Sequence, residues 1–253
     1  PILVKQKHDT DNLIEMPDDA SRSILDEFRR FWKLEPEFRK RGFLHKRGYL
    51  MWGPPGGGKT SLIAQLSRRL IEDLHGIVVF IEDPGLGAAC LELIRKIEPK
   101  RPIVAIFEDI DALISRYGEP GYLALLDGEH QVDSVVNVAT TNYPERMDPR
   151  FVDRPSRFDT IQFVGMPSDI ARRAYFKHRE PGLSDAETDK FVRLSDGYSI
   201  AHLKEMIIAT KCFGQDIEDV VERMEAMRYR EAKSDNDGRR KSAGFIPNGR
   251  ALQ

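Results

Sequence analysis

The sequence predicts an α/β fold: a parallel sheet with intervening helices, followed by a helical C-terminal domain. Three observations predict it. Short unbroken apolar runs, Tyr49-Leu50-Met51-Trp52, Ile77 to Ile81 and Ile103 to Phe107, alternate with segments of helical periodicity, the pattern of strands buried on both faces. Between the first run and the next helix pattern lies Gly53-Pro54-Pro55-Gly56-Gly57-Gly58-Lys59-Thr60, which has the spacing of a phosphate-binding loop. After Gly165-Met166-Pro167 the patterns are helical.

A chain of 253 residues with 40% hydrophobic content can build one large α/β core and a smaller satellite. Its 39 basic and 41 acidic residues give a formal net charge of -2, so no global basic surface demands nucleic acid or acidic lipid. Cys90 and Cys212 fall within apolar helical patterns, as expected of buried free thiols in a reducing compartment. The scattered histidines offer no structural metal site. With no apolar run long enough to span a bilayer and no basic-then-apolar leader, the expected location is the cytoplasm. The first residue is Pro1 and not Met.

Residues 1–19 read as a polar N-terminal extension in which only Ile2-Leu3-Val4 is apolar. From Ala20 to Leu34, Ile24, Leu25, Phe28, Phe31 and Trp32 recur at helical spacing and predict a helix packed on the sheet edge. The run Arg39-Lys40-Arg41 reads as a solvated face before the first strand.

Backbone N–H groups wrap a polyphosphate only where side chains do not intrude and positive φ is cheap, which is why the loop is rich in glycine. The helix predicted from Ser61 to His75 directs its positive end at the same anion. Gly53, Pro54, Pro55, Gly56, Gly57, Gly58, Lys59, Thr60 and Ser61 are thus the expected nucleotide site. Lys59 is expected on the β- and γ-phosphates and the Thr60 hydroxyl on Mg²⁺.

Glu82-Asp83-Pro84-Gly85 reads as a turn and Gly87 to Ile97 as a helix. The strand Ile103 to Phe107 ends in Glu108-Asp109-Ile110-Asp111. Ligands of open α/β sheets sit at the carboxyl ends of strands. Glu108 is therefore expected to hold Mg²⁺ with Thr60, and Asp109 to orient and deprotonate an attacking water. Asp111 reads as a cap for the next helix. Val135, Val136 and Val138 predict a further strand running to the same edge.

Taken together, Arg47 to Thr60, Phe107 to Leu113, Val138-Ala139-Thr140-Thr141-Asn142 and Arg154-Pro155-Ser156-Arg157-Phe158-Asp159 resemble the AAA+ ATPases of the AAA clade. The Glu108-Asp109 order and the run Thr140 to Pro149 are similar to the mitochondrial inner-membrane ATPases that translocate the folded Rieske protein. The resemblance covers roughly residues 13–210 and implies a P-loop NTPase sheet domain with a helical lid, using ATP and Mg²⁺. It makes Asn142 the polar sensor that holds the attacking water, and Arg154 and Arg157 the arginines offered to a neighbouring subunit's γ-phosphate. Arg146 and Arg150 lie nearby and are expected in local ion pairs.

Two departures bear on mechanism. Most members read Asp-Glu where this chain reads Glu108-Asp109, which lengthens the metal arm and shortens the base by a methylene. The loop after Ile77 to Ile81 lacks the aromatic-Gly pair by which unfoldase rings grip extended chains. The anchor and dedicated N-terminal domain of the Rieske translocases have no counterpart in these residues, so their substrate does not transfer.

The expected organisation is an extension (1–19), a nucleotide-binding domain (20–166), a lid (167–233) and a flexible tail (234–253). Lid helices are expected at Ala171 to His178, Ala186 to Leu194, Ile200 to Phe213 and Ile217 to about Lys233, with Ser168 capping the first. Gly197-Tyr198-Ser199 matches the turn over adenine and ribose, and His202 reads as a structural histidine. The reading is an ATP hydrolase that forms a homo-oligomeric ring, hexameric or heptameric, and remodels or translocates a macromolecule, protein rather than nucleic acid. A nucleotide-dependent switch with little hydrolysis and a nucleic-acid remodeller are the alternatives.

Overall fold

The computed structural model describes residues 19–227 except Asp153 and Pro155. Ile2-Leu3-Val4, the tail and the end of the last expected lid helix lie outside the described residues. Five parallel strands, β1 (Lys46–Trp52), β2 (Ile77–Phe80), β3 (Ile103–Phe107), β4 (Val135–Thr141) and β5 (Thr160–Phe163), form one sheet in the order β2-β3-β4-β1-β5. β3 and β4 are buried along their whole length, as unbroken apolar runs dictate. β2 is an edge strand, so Phe80 stays 49% exposed where the run alone suggested burial.

Alternate residues of the strands feed two apolar layers. Tyr49, Met51, Val104, Ile106, Val136 and Val138 pack with α1 (Asp19–Lys33) and α3 (Lys59–Leu74). Leu50, Ala105, Phe107 and Ala139 pack on the other face with α4 (Pro84–Ile97), α5 (Ile110–Tyr117) and α6 (Glu119–Asp127). α1 is amphipathic as its spacing predicts, burying Ile24, Leu25, Phe28 and Phe31.

Several boundaries differ from the sequence reading for local reasons. The basic run belongs to a short helix, α2 (Glu35–Lys40), started by Pro36 in its first turn. Its arginines are partly neutralised, Arg39 by Glu35 and Asp133 and Arg41 by Glu37. The expected turn at 82–85 is the start of α4: Asp83 accepts from the Leu86 N–H and Pro84 occupies the first helical turn. α6 follows Gly118 with Pro120 in its first turn, an element whose apolar pattern is too short to read alone. After β4 come a 3₁₀ turn at Pro144–Arg146 and the short α7 (Pro149–Val152).

Beyond β5, Ser168 caps α8 (Asp169–Arg179), Ser184 and Glu187 form a capping box on α9 (Asp185–Leu194), and Ser199 caps α10 (Ile200–Ile207). α10 continues as a π-turn over Ile208–Cys212, and residues 217–227 are helical. These helices share a separate core built around Phe176, Tyr198, Leu203, Met206 and Val220. Cys90 is half-buried, but Cys212 is exposed because the π-turn carries it off the apolar face, which corrects the expectation of two buried thiols. Among the described residues no helix is long and apolar enough to cross a membrane.

Candidate active site

β1 delivers the glycine-rich loop to the carboxyl edge of the sheet, where α3 begins at Lys59. Gly56 has φ +76°, and a Cβ there would lie 2.6 Å from Ser199 Cβ, so only glycine lets the loop pass beneath the start of α10. A Cβ on Gly53 would meet the Val164 carbonyl at 2.1 Å. The loop is therefore seated between the end of β5 and the start of α10. Such a cradle, opening a helix of 16 residues, suits a polyphosphate.

Lys59 is 7% exposed, and its ammonium donates to the Gly53 carbonyl (2.7 Å), the Pro54 carbonyl (3.0 Å) and Asn142 Oδ1 (2.6 Å). Burial lowers its pKa, partly opposed by the charge of Asp109. The loop lysine thus meets the asparagine just past β4, and the aspartate just past β3 is near enough for its charge to act on the ammonium. Thr60 lies exposed in the first turn of α3 and Ser61 is half-buried.

Glu108 and Asp109 are both exposed at the end of β3, where carboxylates remain hydrated and can meet a cation. Asp109 adopts a left-handed conformation (φ 49°, ψ 53°) and stands at the N-cap of α5 without a side-chain capping bond. Such a conformation costs roughly 1–3 kcal/mol in a non-glycine residue and persists where the surroundings impose it. Here its amide donates to Thr140 Oγ1 at 3.0 Å. Asp111 is not the cap: its Oδ1 accepts from the Thr141 hydroxyl at 2.7 Å. Neither threonine was singled out from sequence, although both sit in the Thr140-Thr141-Asn142 run.

Arg154 and Arg157 do not join this cluster within the chain. The Asp159 carboxylate, two residues beyond Arg157, accepts from the Gly48 N–H at 2.8 Å. Gly48 lies five residues, or about 16 Å of strand, before the loop. The two arginines differ from each other. The Arg157 side chain is 5% exposed, pairs with Asp127 at 2.8 Å and donates to the Arg150 carbonyl. The Arg154 side chain is 66% exposed and lies 3.7 Å from the same carboxylate. Arg150 pairs with Asp148 and Glu119, as expected of a local ion pair, and Arg146 lies over the Tyr143 ring. His202 is structural in its contacts, with Nδ1 2.6 Å from Ser199 Oγ.

Residues 49–166 match the family model described as ATPase family associated with various cellular activities (AAA). Among curated proteins the chain is similar to the probable mitochondrial chaperone bcs1 of Schizosaccharomyces pombe, 28% identical over 83% of this chain and 49% of that protein. It is also similar to the mitochondrial chaperone BCS1 of Danio rerio, 31% identical over 68% of this chain and 44% of that protein. The cell division cycle protein 48 homolog of Archaeoglobus fulgidus is 29% identical over 68% of this chain and 26% of its own length. The chain thus spans about half the length of the first two relatives or less. With the loop, the acidic strand end and Asn142 placed as described, residues 49–166 form an AAA ATPase domain.

Proposed function

We propose that this chain hydrolyses ATP in a homo-oligomeric ring, at sites completed by a neighbouring copy, and uses the cycle to remodel or translocate a macromolecule. The single observation that carries the reading is the meeting of Lys59 and Asn142 at 2.6 Å beside the acidic end of β3. A γ-phosphate entering the loop competes with the Gly53 and Pro54 carbonyls for the Lys59 ammonium, and Asn142 is then free to hold a water. Asp109, next to that point, accepts the proton of the attacking water. Thr60 and Glu108 would hold Mg²⁺, which when bound neutralises charge on the phosphate oxygens.

Of the two arginines Arg154 is the exposed one, and an always-charged guanidinium suits transition-state charge on a neighbouring copy's nucleotide. Arg157 supports that loop from inside. Protein is the favoured class of substrate, because two of the similar proteins are named mitochondrial chaperones and the chain's charge is balanced.

The test is ATP turnover against protein concentration, with mass photometry on the same samples. Turnover per subunit that rises with ring assembly supports the reading, and full turnover by a monomer refutes it. Assembly by ATP without turnover favours a switch, for which the Glu108-Asp109 order is the motive.

A further inference from the structure

The parallel ladder between β3 and β4 ends at Phe107 and Ala139, before either strand reaches its functional residues. Past that point the backbone pairing no longer fixes Asp109 relative to Asn142. Two side chains of β4 take over. Thr140 Oγ1 accepts from the Asp109 N–H at 3.0 Å. Thr141, fully buried, donates its hydroxyl to Asp111 Oδ1 at 2.7 Å and accepts from the Tyr143 N–H at 2.9 Å.

The chemistry of the second link gives it a direction. An ionised carboxylate only accepts, so Asp111 commits the single hydroxyl proton of Thr141, which leaves the hydroxyl lone pairs for the Tyr143 amide. Asn142 sits between Thr141 and Tyr143, and its Oδ1 faces Lys59 at 2.6 Å. The turn that aims Asn142 is thus clamped by a carboxylate on the helix that follows Asp109.

We propose that Asp111 and Thr141 are positioning residues for ATP hydrolysis, coupling the acidic loop to the Asn142 sensor so that base and sensor hold one spacing. The proposal rests on the ATPase reading above. It assigns Asp111 a task distinct from metal binding and from helix capping.

The test compares Thr141→Val and Asp111→Leu with Thr141→Ser and Asp111→Asn, measuring kcat, ATP and ADP dissociation constants, and thermal unfolding. Loss of the clamp is expected to lower kcat about tenfold and to shrink the preference for ATP over ADP, with ADP affinity held within about twofold. The serine and asparagine variants keep the hydroxyl and an acceptor oxygen and are expected to restore most of the rate. Thr141→Val with Asp111→Leu should cost no more than either alone, because both cut one chain. Wild-type kcat and wild-type ATP/ADP preference in Thr141→Val would overturn the proposal. So would an equal loss in Asp111→Asn and Asp111→Leu, or losses that merely track the melting temperature. If the wild-type ring shows no turnover, the hydrolysis reading fails separately. The ATP/ADP preference then decides the coupling: a preference that shrinks in Thr141→Val supports it, and an unchanged preference overturns it.

Discussion

Arg157→Ala should destabilise the fold, and Arg154→Ala should not. The Arg157 and Asp127 side chains are 5% and 13% exposed and meet at 2.8 Å, with a further bond from Arg157 to the Arg150 carbonyl. Removing the guanidinium leaves a poorly hydrated carboxylate and an unpaired carbonyl, and breaking such a buried pair typically costs about 3–5 kcal/mol. Taking the lower figure, because Arg154 can swing from 3.7 Å toward the orphaned Asp127, the expected loss is about 3 kcal/mol. In a chain of this size that corresponds to a fall in Tm of roughly 6–12 °C. Arg154, two-thirds exposed, should change stability by no more than about 0.5 kcal/mol on substitution. Urea and thermal unfolding of both variants measure this, alongside turnover of the assembled protein. If Arg157→Ala unfolds within about 0.5 kcal/mol of wild type while Arg154→Ala hydrolyses normally, Arg157 is the residue offered across the boundary and the assignment made here is reversed.

Three further outcomes are expected. Lys59→Ala should lose most nucleotide affinity, whereas Asp109→Asn should bind ATP and lose turnover; filter binding and phosphate release separate the two, and turnover surviving in Asp109→Asn would remove it as the base. Gly56→Val places a Cβ on Ser199 and forces a branched residue to positive φ, costing about 1–3 kcal/mol and weakening ADP binding, and unchanged ADP affinity would show that the loop does not need Ser199 against it. Although burial alone would raise the pKa of Asp133, the His45 amide and Arg39 outweigh it and hold the carboxyl below its ordinary range. Its folded pKa is thus depressed, so its contribution is full above about pH 4 and is lost as pH falls through the folded value. Asp133→Ala should therefore destabilise by about 1–3 kcal/mol at pH 7 and by less near pH 2, a difference that urea unfolding at the two pH values reads directly.

Much of the site is local in the chain. A strand, a glycine loop and a helix follow one another from Tyr49 to Leu74, so their spacing alone places Lys59 and Thr60 at a helix start. The acidic pair and Asn142 each end an apolar run, and parallel strands bring their carboxyl ends to one edge, which made their convergence legible as well. α6 was not legible, because its stripe is too short, and neither was the exposure of Cys212, because a π-turn leaves no mark in periodicity.

What the sequence by itself determined is therefore the alternation of strands and helices around the phosphate loop, and the identity of the residues at the strand ends. The family resemblance it carries was met by the AAA family match and by the mitochondrial chaperones among the similar proteins. Only the tertiary structure decided which arginine is buried, that Asp111 serves Thr141 and not a helix end, and that Gly56 must be small because Ser199 stands over it. Those facts depend on pairs separated by 30, 30 and 143 positions. Local periodicity and spacing report the neighbourhood within a helical turn or a strand; a charge finds its partner across the chain only when the sheet has set the distance between them.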